Sequence, residues 1–223
     1  MKCLALIGGC NFSNKENKKI HSKIIELSKK AKPRLLYIHV SSKKIDDIIK
    51  TFNEFNVDLK IYEKLSDIDD ADIIYIGGGN TDETIIKFKK SGLMEKLISV
   101  IDSKIICGVS AGAILWFKKF YSDTYSYIDN SYGYNFKLLD GIGYFNGYIS
   151  PHFNEAGKEA FVDELGNNFG IGLENNTALF ITNDNIDFIL DRPKSAIYFY
   201  LNKRLHVLND SNKKILLDNI LNK

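Results

Sequence analysis

The sequence predicts an α/β fold with a mostly parallel sheet that has an antiparallel pair at one edge. Short apolar runs alternate with helical patterns through the first half of the 223-residue chain, as in strand–helix units. The runs are apolar on both faces, which is typical of parallel strands covered on two sides. Several apolar runs lie close together in the second half, which favours antiparallel pairing there. Hydrophobic residues make up 44% of the chain, enough for a sizeable core.

The first half contains strands and helices in regular succession. In chain order they are the strand CLALIG, a lysine-rich helix at 16–30, the strand RLLYIHV, a helix at 43–56, and the strands VDLKIY and DIIYIGGGN. Asn80 and Glu83 form a capping box that begins the next helix. The strand at 105–109 then leads into a helix start at 113–117.

The second half has a different composition. Residues 120–148 are rich in Tyr, Asn, Asp and Gly and suggest loops or hairpins. The strands predicted there are GYISPHFN, FGIGLENNTALFIT, IDFIL and AIYFYL. No repeat, low-complexity segment or linker interrupts the chain, so we expect one domain over 1–223.

Charge and composition exclude several classes of function. The net charge is +2, so no strong field directs the chain to nucleic acid or an anionic membrane. No apolar run reaches the length of a membrane span, and the N-terminal apolar segment is too short for a signal peptide. The three cysteines have no metal-like spacing. The expectation is a cytoplasmic protein.

Ser110 lies in the sequence GVSAGA, between the strand at 105–109 and the helix start at 113–117. Gly108 and Gly112 flank it, which gives the pattern G-x-S-x-G between a strand and a helix. This pattern is typical of a nucleophile on a sharp turn. A serine at this position could also merely cap the helix, and the short pattern does not separate the two readings.

A nucleophilic serine needs a base, and histidine is the usual one. The histidines of the chain are His21, His39, His152 and His206. His152 follows Pro151 at the end of a predicted strand, which presents the ring at a defined angle, although a loop histidine without a chemical role would fit there too. Catalytic groups of open α/β sheets lie at the carboxyl ends of strands, so we expect Ser110 and His152 along one edge.

A glycine cluster, Gly77-Gly78-Gly79-Asn80, follows another predicted strand at the same edge. Its amides could cradle a phosphate or form an oxyanion hole. A dinucleotide fingerprint requires a third glycine where this chain has Asp82, and no P-loop sequence occurs. The oxyanion reading is therefore favoured.

A triad also needs an acid that orients the imidazole. Glu174 follows the apolar run GIGL at a strand end, and Asp123 lies in YSDTYSY between the serine and the histidine. The end of a strand holds a side chain in a fixed position, so Glu174 is the preferred acid. Asp123 is instead expected to contact substrate, for example a free amino group.

Four motifs in this order resemble peptidase family S51, the peptidase E and cyanophycinase group. They are IYIGGGNT, GVSAGA, SPHF and GIGLENNTAL. The resemblance covers about residues 1–200 and implies a three-layer flavodoxin-like sandwich related to class I glutamine amidotransferases. It also implies a serine exopeptidase that needs no metal or cofactor.

The resemblance assigns roles to residues of this chain. Ser110 matches the nucleophile, His152 the base and Glu174 the glutamate. The oxyanion hole corresponds to Gly78 or Gly79 with the amide of Ala111. The order serine, histidine, glutamate differs from α/β-hydrolases, in which the acid precedes the histidine.

The expected substrate is a short peptide with a free N-terminus, which Asp123 and Asn80 would help to bind. The best-known activity of the family removes an N-terminal aspartate, which calls for a cation. However, Arg34, Arg192 and Arg204 lie outside the matched motifs. Two alternatives stay open, a non-catalytic ligand-binding protein and an esterase or amidase for other substrates. A homodimer is a further expectation from the family.

Overall fold

The structure is a computed structural model that describes residues 1–14, 16–39, 45–123 and 136–221. Its strands are β1 Cys3–Ile7, β2 Arg34–Ile38, β3 Asp58–Ile61, β4 Ile73–Ile76, β5 Ile105–Val109, β6 Phe117–Ser122, β7 Lys137–Asp140, β8 Phe145–Ser150, β9 Gly170–Leu173, β10 Thr177–Ile181, β11 Ile186–Leu190, β12 Ile197–Leu201 and β13 Arg204–Val207. Its α-helices are α1 Lys18–Leu27, α2 Ile45–Phe52, α3 Asp67–Asp70, α4 Thr81–Ser91, α5 Leu93–Val100, α6 Ala111–Ile114, α7 Phe161–Leu165 and α8 Lys213–Leu221. Short 3-10 helices lie at Phe12–Asn14 and Lys158–Ala160.

The first sheet has the strand order β11-β10-β1-β5-β4-β2-β3. Strands β1, β5, β4, β2 and β3 run parallel to their neighbours. Strands β10 and β11 add an antiparallel pair at the β1 side. The predicted α/β fold, with a mostly parallel sheet and an antiparallel edge, is therefore confirmed.

Both faces of this sheet are buried, as the unbroken apolar runs predict. Along β1, Leu4 and Leu6 face one side, while Cys3, Ala5 and Ile7 face the other. The second side packs against α1 and α2. The first side packs against α4, α5, α6 and a second sheet. Sheet and covering layers form the expected sandwich.

The second sheet, with the order β13-β12-β9-β8-β6-β7, was not predicted. Strands β6, β8 and β9 are parallel in it, and the other pairs are antiparallel. Loops or hairpins are expected at 120–148, and β7 does pair antiparallel with β6, as in a hairpin. Most of β8 also lies in this range, but it pairs parallel with β6 and β9. Residues 124–135 lie outside the described residues. Two tyrosines of this range, Tyr121 and Tyr148, are core residues, since both are buried against Phe161.

The predicted helix at 113–117 is also shorter in the structure. Helix α6 ends at Ile114, and β6 begins at Phe117. Leu115 and Trp116 are buried in the core shared with the second sheet, so this apolar run is a helix-to-strand connection. Within the described part of the chain, no helix is long and apolar enough to cross a membrane.

Candidate active site

Ser110 occupies a strained turn between β5 and α6. Its backbone has φ 53° and ψ −114°, a combination that L residues rarely adopt. Its amide donates to the Ile7 carbonyl oxygen over 3.0 Å, which ties the turn to β1. The Ser110 side chain makes no capping hydrogen bond to α6, so the helix-cap reading does not describe this serine.

The flanking glycines allow the turn to pack closely. A Cβ on Gly108 would lie 2.1 Å from the Gly112 carbonyl oxygen, and a Cβ on Gly112 would lie 2.5 Å from the Ile76 carbonyl oxygen. Any side chain at either position would push α6 away from the strands. The G-x-S-x-G pattern is therefore explained by backbone contact on both sides of Ser110.

His152 reaches this serine from the second sheet. Its Nε2 lies 2.8 Å from Ser110 Oγ. The residue follows β8 and has φ 53°, and its amide donates to the Gly8 carbonyl oxygen over 3.1 Å. The ring therefore sits over the carboxyl end of the first sheet, although the strand that carries it belongs to the second. The expectation that both groups end strands of one sheet is wrong, because the sequence did not reveal the second sheet.

The other ring nitrogen of His152 faces two acceptors. Its Nδ1 lies 2.6 Å from Asn175 Oδ1 and 3.2 Å from Glu155 Oε1. Asn175 Nδ2 donates to the same Glu155 oxygen over 2.9 Å. The hydrogen bond with His152 holds the pKa of Glu155 at about 2, against an opposing effect of burial, so this carboxyl is ionised at neutral pH.

Glu174, the predicted acid, points elsewhere. Its Oε2 accepts a hydrogen bond from the Ala196 amide over 2.8 Å, and its carboxylate also faces Tyr198. Successive side chains at the end of an extended strand point to opposite sides, so Glu174 and Asn175 diverge. The strand-end argument selected the correct loop but the wrong residue for contact with His152.

Apart from Ala111, the remaining predicted residues line two cavities that share Gly79, Ser110 and His152. The smaller one has a volume of about 370 Å³ and also contacts Gly78 and Tyr37. The larger one, about 710 Å³, is lined by Asn80, Thr81, Glu83, Ile114, Ser122, Asp123, Pro151, Glu155 and Lys158. Ser110 is thus accessible from two sides.

The structure defines the contacts of each of these predicted residues. Asn80 Oδ1 accepts from the Glu83 amide over 3.1 Å, so it caps α4 as predicted while facing the larger cavity. Asp123 lies on that cavity wall, and no described contact joins it to His152. A Cβ on Gly78 would lie 3.4 Å from Ser110 Cβ. Ala111 is the first residue of α6, where an amide has no acceptor within its own helix.

Two further residues at the site escaped the sequence reading. Lys158 is only 2% exposed, and its Nζ donates to the Tyr121 carbonyl oxygen over 3.2 Å and lies 4.3 Å from the centre of the Phe136 ring. Its charged neighbours in sequence made it look like a surface lysine. Gly9 lies against His152, and the Gly8-Gly9 pair at the end of β1 was the available signal.

Within the described residues, no group of three or more His, Cys, Asp or Glu side chains could hold a metal ion. A serine on a strained strand-to-helix turn, hydrogen-bonded to an imidazole, is the arrangement of hydrolases with a serine nucleophile. The comparison with known families agrees with this class. The chain belongs to peptidase family S51, whose family model matches residues 4–189, and it is a serine-type peptidase.

Individual relatives are distant but cover most of the chain. The uncharacterized peptidase YgaJ of Bacillus subtilis (strain 168) is 25% identical over 83% of this chain and 86% of its own length. A crystal structure of a peptidase from an acI-B1 Actinobacterium matches with a TM-score of 0.67 and 19% identity, covering 93% of each chain. A putative peptidase E protein from Listeria monocytogenes EGD-e matches with a TM-score of 0.65 and 17% identity, covering 85% of this chain and 98% of that one. The two structures share the fold.

Proposed function

We propose that this peptidase hydrolyses short peptides with free N-termini through an acyl-enzyme on Ser110. The observation that carries the proposal is the 2.8 Å contact between Ser110 Oγ and His152 Nε2 at a strained turn. In this geometry the imidazole accepts the hydroxyl proton as Oγ attacks the peptide carbonyl carbon. The imidazolium then donates that proton to the leaving amine as the C–N bond breaks.

The oxyanion of the tetrahedral intermediate would lie beside the start of α6. The Ala111 amide follows the nucleophile directly, which is the usual position of one donor. Gly78 or Gly79 would supply the second donor, and both line the smaller cavity at Ser110. Water entering from the cavity would hydrolyse the ester by the same steps, with His152 again as the base.

The cavities support a short substrate. Volumes of about 370 and 710 Å³ on the two sides of Ser110 are in the range of small-ligand sites. Asp123 and Asn80 line the larger one, where a carboxylate would pair with a free amino group. These features favour peptides of a few residues over unfolded protein chains.

Lys158 supports an acidic first residue in the substrate. The sequence reading found no arginine in the matched motifs, whereas the larger cavity has this buried lysine on its wall. The Lys158 ammonium group, which donates to the Tyr121 carbonyl oxygen at this wall, would attract the carboxylate of an N-terminal aspartate. The substrate class proposed is therefore short peptides that begin with Asp.

The proposal is tested with a dipeptide panel and a serine-directed phosphonate. We expect the wild type to cleave Asp-X dipeptides, to lose activity on their N-acetyl forms, and to form a covalent adduct at Ser110 by mass spectrometry. The Ser110→Ala variant should show neither cleavage nor labelling, and dialysis against EDTA should leave the activity unchanged because the proposed base is a side chain. Equal cleavage of free and acetylated peptides would contradict the substrate assignment, and undiminished labelling of Ser110→Ala would contradict the nucleophile.

A further inference from the structure

Two side chains behind the His152 ring, those of Asn175 and Glu155, form a closed hydrogen-bonded group with it. His152 Nδ1, Asn175 Oδ1 and Glu155 Oε1 are linked by distances of 2.6 Å from Nδ1 to the amide oxygen and 3.2 Å from Nδ1 to the carboxylate. The third side is the 2.9 Å hydrogen bond from Asn175 Nδ2 to Glu155 Oε1. The place of a triad acid is thus occupied by an amide and a carboxylate together.

The carboxylate determines how the amide faces the ring. An ionised carboxylate only accepts hydrogen bonds, so it requires the NH₂ group of Asn175 on its side. The Asn175 oxygen then faces Nδ1 and accepts a hydrogen bond from it. A neutral imidazole with its proton on Nδ1 leaves Nε2 as the acceptor for the Ser110 hydroxyl, which is the tautomer that a base requires.

The backbone keeps this group in place. The Glu155 amide donates to the His152 carbonyl oxygen over 2.9 Å, which closes a turn directly after the histidine. The Asn175 amide donates to Asn154 Oδ1 over 2.8 Å, which joins the loop after β9 to the loop after β8. Glu155 and Asn175 are therefore held in a fixed position relative to the His152 ring.

We infer that Glu155 is a positioning residue that orients His152 through Asn175 and supplies the negative charge facing the imidazolium formed during the reaction. The inference rests on the proposed acylation of Ser110. It also assigns to Glu155 the role that the sequence predicted for Glu174, whose carboxylate is held by the Ala196 amide.

Other charged groups surround the ring at greater range. Lys158 and Asp123 line the cavity on one side, and Glu155 is electrostatically coupled to Lys158. On the other side, Arg192 forms an ion pair with Glu16. Glu155 is the carboxylate that contacts the ring among the described residues, so its removal should have the largest effect on imidazolium formation.

The test measures the rate at which a serine-directed phosphonate labels Ser110 as a function of pH. This reagent has no amino group, so a Glu155 that merely bound substrate would not alter the labelling. In Glu155→Gln we expect the rate to fall about 10- to 100-fold, less than the about 10⁴-fold loss for a triad acid, because Asn175 can still fix the tautomer. The acid limb of the pH profile should move to lower pH, since the imidazolium has lost its opposite charge.

Two variants serve as matched controls, and one double variant tests whether the labelling rate can be restored. Glu159→Gln makes the same charge change at an exposed position nearby and should leave both rate and profile unchanged. Glu174→Gln should leave the acid limb in place. The double variant Glu155→Gln with Asn175→Asp exchanges the charge and the amide between the two positions, so it should recover the rate and the profile.

The outcomes separate this inference from the proposed function. An unchanged rate and profile in Glu155→Gln would overturn it, as would a double variant that folds but recovers nothing. If the acid limb shifts in Glu174→Gln instead, then Glu174 and not Glu155 is the residue that positions His152. If the wild type is labelled but cleaves no peptide, the proposed substrate fails and the role of Glu155 stands. If the wild type is not labelled, both fail.

Discussion

Lys158 is an ionisable residue of the site whose burial lowers the stability of the fold. Its side chain is buried on the wall of the larger cavity, against the rings of Tyr121 and Phe136. Burial lowers the pKa of Lys158 to about 8, although the charges of Asp123 and Glu155 act in the opposite direction. A charged group kept in a partly apolar wall costs stability, which is common for groups that bind a ligand.

The pH dependence of stability checks this cost. Between pH 8 and about 10.5, the unfolded chain binds more protons at this lysine than the folded chain does, so the stability of the wild type rises with pH relative to a variant that cannot titrate. Lys158→Met should therefore stabilise the fold at pH 7 by about 1–3 kcal/mol, and the gain should shrink towards pH 10.

Urea unfolding at pH 7 and pH 9.5 measures the difference. The exposed Lys50→Met on α2 serves as the control and should show no such pH dependence. A stability difference for Lys158→Met that is equal at the two pH values would contradict the lowered pKa.

At the scale of elements, three chain turns meet around the imidazole. The loop after β8 carries His152, the loop after β9 carries Asn175, and the turn after β1 carries Gly9. A Cβ on Gly9 would lie 2.1 Å from Asn175 Oδ1 and 2.5 Å from His152 Cε1. The absence of a side chain at the end of β1 is therefore what leaves room for the ring and its partner.

Gly9→Ala should displace the imidazole from Ser110. A shift of about 1 Å in a catalytic group can cost about 10²-fold in rate, so we expect a loss of that order in phosphonate labelling and peptide turnover. The accompanying loss of stability should stay within about 1–3 kcal/mol. Gly143→Asn is the control, because Gly143 has φ +76°, which Asn tolerates, and nothing within 4 Å. Full activity in a folded Gly9→Ala would show that the ring does not need this space.

At the scale of the whole molecule, the site joins two sheets that share one core. The largest apolar cluster contains Leu4 and Leu6 of the first sheet together with Ile149, Ile171 and Phe199 of the second. The 2.8 Å contact between Ser110 and His152 bridges the same two layers. Relative movement of the sheets would separate Ser110 Oγ from His152 Nε2, the proposed nucleophile and base.

We therefore expect 1–223 to unfold as one domain. Loss of far-ultraviolet circular dichroism, the red shift of Trp116 fluorescence and loss of Ser110 labelling should coincide along one urea curve, because Trp116 is buried in the shared core. Labelling that disappears well before the secondary structure would indicate that the second sheet unfolds separately. The cytoplasmic location and the homodimer stay predictions, and sedimentation velocity of the purified chain would decide the latter.

Much of the fold and the core of the site were predictable from the sequence because they depend on local patterns. Unbroken apolar runs predicted the strands of the first sheet, since a buried parallel strand needs apolar side chains on both faces. Ser110 was predicted because its turn requires Gly108 and Gly112, and Asn80 because a helix start needs a capping side chain. In each case the residues that meet the physical requirement lie only a few positions apart in the sequence.

Contacts between distant segments were decided only by the tertiary structure. The second sheet escaped prediction because its tyrosines resemble loop residues until the packing of β6 and β8 buries them. The choice among Glu174, Asn175 and Glu155 depended on which way each side chain points from a loop, and adjacent residues at a strand end diverge. The sequence determined that a serine and a histidine would lie at strand ends, whereas the meeting of two sheets decided which side chains surround the ring.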